Sequence, residues 1–171
     1  ADDIGASAAA ASSILIEANG AGQGITINAD VISDAGNITV KARHGIDLGS
    51  SADVSTSLGD IELRALDEDV VMADDSRLTA TTGSIRVLAH RDILLGGIAT
   101  QSLVSLVAST GGVRDNGDTD VDLVADGVRI EAATGVGELG AGVNALDTDM
   151  GTLTVRSGAE GVSILEANDL L

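Results

Sequence analysis

With 171 residues, 44% of them hydrophobic and 21% charged, the chain is long enough for one sizeable domain, and wholesale disorder is excluded. It has no cysteine, proline, phenylalanine, tyrosine or tryptophan, which excludes disulfides and thiol chemistry. Its 27 acidic and 9 basic residues give a net charge of −18, so nucleic acid and anionic membrane surfaces are disfavoured as partners. No stretch approaches the ~20 apolar residues of a membrane-spanning helix, and we expect no membrane insertion.

Residues 1–12 precede any strand pattern and include four consecutive alanines at 8–11. We expect this segment to be a lead-in or an N-terminal cap. The rest of the chain, residues 13–171, is predicted to form a single domain.

A short aliphatic phrase recurs throughout that domain. In it, two long or branched aliphatic residues and one small residue alternate with variable residues, and a period of two indicates a half-buried strand. The phrases begin at Ile14, Ile38, Ile61, Ile85, Val104, Val121 and Leu153, which are 24, 23, 24, 19, 17 and 32 positions apart. Recurrence every twenty-odd residues is typical of stacked coils that cover one another's apolar faces.

Further aliphatic residues follow each phrase at similar offsets. The second apolar pairs are Ile25/Ile27, Ile46/Leu48, Val70/Met72, Ile93/Leu95, Val128/Ile130 and Val162/Ile164, with Val113 alone in the fifth coil. A third aliphatic position is occupied by Val31, Val54, Leu78 and Ile98. Three short strands per coil predict an all-β fold, a right-handed parallel β-helix or solenoid of about seven coils of 17–24 residues.

The corners between strands are predicted from glycines and from spacing. Gly36, Gly59 and Gly83 stand two positions before their phrases, and we expect them to supply a positive φ. The interval from Val121 to Leu153 is too long for one regular coil. Residues 132–150 are therefore predicted to hold an irregular insertion, either an extra strand or a protruding loop.

The repeats resemble those of a known class of proteins. Residues 111–121 (GGVRDNGDTDV), followed by Gly135-Val136-Gly137 and by residues 144–148 (NALDT), are similar to repeat units of filamentous-haemagglutinin-like and related large repetitive bacterial surface adhesins. The resemblance is one of repeat style and covers residues 13–170. It implies a right-handed β-helix, secretion to the cell surface, and a role in adhesion, surface coats or extracellular filaments, with a host or matrix ligand that is unknown.

The last residues, 162–171, form a strand-like run without a polar cap. An uncapped solenoid end exposes unpaired backbone groups and favours the addition of another strand. We therefore expect end-to-end contacts with neighbouring copies or modules. The expected contact residues are Ile164 and Leu170 at one end and Ile14 and Ile16 at the other.

Acidic residues are concentrated in two stretches that are predicted to be corners. One contains Asp115, Asn116, Asp118 and Asp120, and the other contains Asp67, Glu68, Asp69, Asp74 and Asp75. Calcium takes six to eight oxygen ligands, so the first corner is our candidate calcium site, and no other cofactor is expected. The alternative is that these residues form turns and keep the surface solvated.

Catalysis is the competing interpretation. Parallel β-helices also host polysaccharide lyases and glycosidases, which use paired carboxylates or a basic residue. The candidates here are Asp67, Asp69, Asp92 and Arg91, although the aromatic platforms usual in sugar-binding clefts are missing. His44 and His90 fall in similar corners two coils apart, about 10 Å by strand spacing, which is too far to share a metal directly.

The sequence as a whole predicts a non-enzymatic structural rod module of an extracellular bacterial adhesin or surface filament, stacked end to end with like modules. Two alternatives stay open. One is a polysaccharide-acting β-helix enzyme, and the other is a self-assembling extracellular filament subunit.

Overall fold

A computed structural model describes residues 6–8, 12–117, 120–139 and 144–168. Within these residues the chain forms strands and no helix. This part of the chain therefore contains no helix that could cross a membrane. The strands in chain order are β1 (Ala6–Ala8), β2 (Ile14–Ala18), β3 (Ile25–Ile27), β4 (Val31–Ser33), β5 (Ile38–Ala42), β6 (Ile46–Leu48), β7 (Asp53–Thr56), β8 (Ile61–Ala65), β9 (Val70–Met72), β10 (Arg77–Ala80), β11 (Ile85–Ala89), β12 (Ile93–Leu95), β13 (Gly97–Thr100), β14 (Leu103–Ala108), β15 (Val113–Asp115), β16 (Leu123–Ala132), β17 (Gly135–Val136), β18 (Leu146–Arg156), β19 (Gly161–Val162) and β20 (Ile164–Glu166).

Successive coils stack through parallel pairing on three faces, which confirms the predicted parallel β-helix as a solenoid of about six turns. Face 1 consists of β2, β5, β8, β11, β14 and the second halves of β16 and β18. Face 2 consists of β3, β6, β9, β12, β15, β17 and β19. Face 3 consists of β1, β4, β7, β10, β13, the first halves of β16 and β18, and β20.

The leading residues of face 1 form one continuous ladder. It runs through Ile14, Ile38, Ile61, Ile85, Val104, Val128 and Leu153, at intervals of 24, 23, 24, 19, 24 and 25 residues. The predicted place of Val121 in this ladder is wrong, because Val104 pairs with Val128. Leu123, the middle residue of the phrase that begins at Val121, pairs with Ile98 and belongs to face 3.

Within the described parts of 132–150, the faces continue in the order of the other coils, and the backbone amide of Glu138 donates to the carbonyl oxygen of Asn144 at 2.8 Å. β17 continues face 2 beside β15, and the first half of β18 continues face 3 beside β16. The long interval that suggested an insertion comes from counting from Val121 instead of Val128. Residues 140–143 of this stretch lie outside the described residues.

The shortest coil is the fourth one, which spans 19 residues between Ile85 and Val104. Its corner between faces 2 and 3 is short, since Ile98 follows Leu95 by three positions, whereas Val54 follows Leu48 by six. The shortened corner lets coils three and five approach one another at this edge of the solenoid.

Aliphatic side chains fill the interior in layers. Ile38, Ile61 and Ile85 are at most 1% exposed, whereas the alternate residues Thr39 and Glu62 face outward and are half-exposed. Because the cross-section repeats from coil to coil, branched and small aliphatic residues fill the interior without aromatic rings.

The corner glycines are required by close packing, and the predicted positive φ is wrong for Gly36, Gly59 and Gly83. Among the described residues, positive φ occurs at Gly22, Gly117, Gly137 and Gly161. A Cβ atom on Gly59 would lie 2.2 Å from the carbonyl oxygen of Gly36, and one on Gly83 would lie 1.9 Å from that of Gly59. Backbone therefore passes directly against backbone at this corner, which only glycine allows.

Buried hydroxyl groups brace the same corner. Thr56 Oγ1 donates to the carbonyl oxygen of Gly36 at 3.0 Å and accepts from the amide of Gly59 at 3.2 Å. Equivalent bridges are made by Ser33 and Thr100, whereas Ala80 holds the same position in the third coil without a hydroxyl.

Candidate functional site

The first layer of face 1 leaves aliphatic side chains partly exposed. Ile14 and Ile16 are half-buried, whereas Ile38 and Val40 directly beside them are 0% exposed. Among the described strands β2 pairs only with β5, which leaves its other edge without a described partner strand. An open edge presents backbone donors and acceptors to a further strand.

The last layer of face 1 has the same character. Leu153 and Val155 are partly buried against the core, and residues 152–156 pair with β16 on one side. Ile164 also packs partly buried against the core, and Leu170 lies outside the described residues. Three of the predicted interface residues, Ile14, Ile16 and Ile164, are therefore partly exposed aliphatics at the two ends.

Face 3 ends in a polar cap, although the sequence predicted none at this end. Glu166 accepts hydrogen bonds from the amide of Met150 at 3.0 Å, the hydroxyl of Thr148 at 2.7 Å and the amide of Asn168 at 3.2 Å. Burial raises the pKa of the Glu166 carboxyl, but these hydrogen bonds together outweigh it and leave the pKa below its usual value.

Aspartate and asparagine side chains at the corners link successive coils. In each link a side-chain oxygen accepts a hydrogen bond from a backbone amide one coil further on. Asn37 accepts from Asp60 at 2.9 Å, and Asp60 accepts in turn from Ser84 at 2.8 Å. The same arrangement joins Asp30 to Asp53, Asp53 to Arg77, Asp69 to Asp92, Asp92 to Gly112 and Asp122 to Asp147. Many of the acidic residues thus have a structural role in stacking.

The described members of the predicted calcium set, Asp115, Asn116 and Asp120, lie around the corner that follows β15. Asp115 is 7% exposed, and its Oδ1 accepts from the amide of Gly117 at 3.0 Å while its Oδ2 has no hydrogen-bond partner. Asn116 Nδ2 donates to the carbonyl oxygen of Met72 at 2.8 Å. Asp120 is exposed, and Asp118 lies outside the described residues. No group of three or more histidines or carboxylates positioned to hold a metal occurs in the described part of the chain, and calcium binding stays a prediction.

The residues considered for catalysis make contacts between coils. Asp67 pairs with Arg43 at 2.8 Å, and Arg91 pairs with Glu68. The two remaining carboxylates, Asp69 and Asp92, belong to the corner links. His44 and His90 are both exposed at corners.

A groove of about 280 Å³ lies beside the short corner of the fourth coil. Its acidic lining residues are Asp53, Asp74, Asp75 and Asp120, accompanied by Ser76 and Arg77. It combines members of both predicted acidic corners, while Asp67, Glu68 and Asp69 lie at the corner between faces 1 and 2. Sequence reasoning missed the groove because it depends on the shortened step from Leu95 to Ile98.

One outward column of face 1 begins and ends with opposite charges. Its members are Glu17, Lys41, Arg64, Leu88, Val107, Glu131 and Arg156. The hydrogen bond from Lys41 Nζ to Glu17, at 2.6 Å, lowers the pKa of the Glu17 carboxyl. Arg156 makes no ion pair with any described residue. This column was not apparent from the sequence because it requires the pairing register.

Comparisons with known proteins add no assignment to these features. The chain matches no protein-family model, no curated protein and no solved structure. The open ends of face 1 are therefore the candidate functional site on geometric grounds.

Proposed function

We propose that the chain is a non-enzymatic structural rod module that joins end to end with like modules in an extracellular bacterial adhesin or surface filament. The observation that carries the proposal is face 1, whose aliphatic columns continue through every coil and end half-exposed beside an open strand edge. The resemblance of the repeats to large surface adhesins supports the extracellular placement.

Stacking of a like module would cover the half-exposed aliphatic side chains at these ends and would pair the open strand edge. Covering half-exposed aliphatic surface contributes about 25 cal/mol per Å² of apolar area removed from water. A further parallel strand also supplies hydrogen-bond partners to the open edge. Because the two ends differ, the contact is heterologous and does not close, so it produces a line of modules. The role of such a rod is to hold attached regions at a distance from the cell.

The proposal is tested by solution scattering over a concentration series. We expect particle length to grow with concentration while the cross-section stays constant. Ile16→Lys and Ile164→Lys should each abolish the growth, because a charge would have to be buried at the junction.

Matched controls are available in the same two strands. Leu15 and Leu165 are 66% and 62% exposed and neighbour Ile16 and Ile164, so Leu15→Lys and Leu165→Lys should leave growth unchanged. A compact monomer at every concentration, or equal loss of growth in the controls, would contradict end-to-end assembly.

The alternative function is that of a polysaccharide-acting enzyme, and the acidic groove beside the fourth coil would then bind the substrate. Depolymerisation of a polysaccharide by the wild-type chain, lost on Asp74→Asn, would support this alternative. Because aromatic platforms are missing from the sequence, the rod module is the better-supported function.

A further inference from the structure

The two ends of face 1 are complementary in charge. Glu17 begins its outward column and Arg156 ends it. Arg156 has no ion-pair partner within the described ranges, and Glu17 contacts Lys41 on its inner side. A carboxylate can accept several hydrogen bonds, so Glu17 has capacity for a second cation on its open side.

We propose that a second copy of this chain docks in one register, with Arg156 of one copy beside Glu17 of the next. This inference rests on the end-to-end function proposed above. The register continues the interior columns at the usual strand spacing of about 4.8 Å, because it brings together Leu153 with Ile14 and Val155 with Ile16.

Other registers lose these matches. A shift by two residues would place Val155 beside Ala18 and would carry Arg156 past Glu17. A shift by one residue would turn every aliphatic side chain of the docking strand to the opposite face. The charge pair and the aliphatic pairs therefore favour the same arrangement.

The same register requires one strand of face 3 to move. β20 follows β19, the last face-2 strand of the first copy, and β1 precedes β2, the first face-1 strand of the second copy. In a continuous solenoid both strands would therefore occupy the same layer of face 3. Within its own copy, β1 pairs with β4 through three residues, and β20 pairs with β18 through three residues. β20 is held in addition by Glu166 and by the packing of Ile164 on the core. We therefore assign β1 as the strand that is displaced on docking.

The register is tested with two charge-reversal variants. Glu17→Lys alone and Arg156→Glu alone should each weaken linear association at least about tenfold, because like charges then meet at every junction. Mixed together, the two variants should form alternating rods of wild-type affinity, since each junction again joins opposite charges. Recovery in the mixture would also demonstrate that both variants are folded.

The control variants lie on the same face in inner coils. Glu62→Lys and Arg86→Glu reverse outward charges away from the ends and should leave association unchanged. Glu17→Gln removes the charge with little change in size and should weaken association several-fold, independently of any new repulsion from Lys41.

The displacement of β1 has its own readout. In a Ser7→Pro/Ala8→Pro double variant, one of the two prolines must remove an amide that faces β4, because successive amides of a strand point to opposite sides. The double variant should associate several-fold more tightly than the wild type. Unchanged or weaker association would overturn the displacement.

The outcomes separate this inference from the proposed function. Linear assembly that Ile16→Lys abolishes but the charge reversals leave intact would overturn the register and retain the rod function. Reversals that abolish assembly without recovery in the mixture, in variants that keep the circular dichroism of the wild type, would overturn the register as well. A wild-type chain that never assembles would overturn both.

Discussion

At the scale of single residues, the corner between faces 3 and 1 is governed by the distance between neighbouring backbones. Gly36, Gly59 and Gly83 sit where a carbonyl oxygen of the adjoining coil occupies the space of a side chain. The constraint is set by the neighbouring coil and not by the local dihedral angle. Any side chain at these positions therefore has to push two coils apart.

Gly59→Ala is expected to destabilise the chain strongly. The added Cβ would lie 2.2 Å from the Gly36 carbonyl oxygen, and backbone cannot move aside as a flexible side chain can. Overpacking of this kind costs about 1–3 kcal/mol or more. Urea unfolding measures the loss, with Ser57→Ala, an exposed position of the same corner, as the control. A loss no greater than that of the control would contradict the close approach.

Glu166 gives stability a predictable pH dependence. Since folding lowers the pKa of this carboxyl, its ionised form stabilises the folded chain above the unfolded-state pKa of about 4.3. That contribution disappears as the pH falls through the lower folded-state pKa. Glu166→Gln should unfold at lower urea than wild type at pH 7, and the difference should shrink progressively below about pH 4. A difference that is the same at pH 7 and pH 3, or that Glu62→Gln reproduces, would contradict this role.

At the scale of elements, stacked strands place equivalent residues in shared hydrogen-bonding positions. Ser33, Thr56 and Thr100 bridge a carbonyl of one coil to an amide of their own corner. Ala80 lies between Thr56 and Thr100 in this column and leaves the bridge unmade. Ala80 is therefore a position of this column at which a bridge can be added.

Ala80→Thr should stabilise the chain by adding the missing bridge between Thr56 and Thr100. The new hydroxyl would donate to the carbonyl of Gly59 and accept from the amide of Gly83, in the geometry that Thr56 uses one coil earlier. A hydrogen bond of this kind contributes about 0.5–1.5 kcal/mol. Ala80→Val has the same shape without the hydroxyl, so the difference between the two unfolding free energies isolates the bond. Equal stability of the two variants would show that the bridge does not form.

Strands could be predicted from the sequence because Ile61-Glu62-Leu63 and its equivalents alternate in step with the pleat. The assignment of each strand to a face could not, since the phrases beginning at Val121 and Val128 have the same alternation. Only the lengths of the corners decide between them, and these vary without a sequence signal. The acidic groove and the charged column of Glu17 depend on the same information.

At the scale of the whole molecule, a net charge of −18 acts against the compact state. We expect the urea midpoint to rise between 0.01 M and 0.3 M NaCl, because the screening length falls from about 30 Å to below 10 Å. A midpoint that does not change with salt would mean that the links between coils already compensate the repulsion.

The predicted calcium site is checked by comparing CaCl2 with NaCl at equal ionic strength. A cation bound by the folded state alone stabilises that state, so calcium held by Asp115, Asn116, Asp118 and Asp120 should raise the midpoint further. Asp118→Asn should remove the additional rise. Equal midpoints in the two salts would leave these residues with their turn and solvation roles.

The direction of the hydrogen bonds between coils determines how the chain would respond to tension. These bonds run along the solenoid axis because the strands lie across it, so a pull between the first and last coils separates layers one at a time. Most coils would release about 24 residues, or ~80 Å of extended chain, while the fourth would release 19 residues, or ~65 Å. A tether built this way would yield in a series of nearly equal steps, and so would limit the peak force transmitted to whatever it anchors.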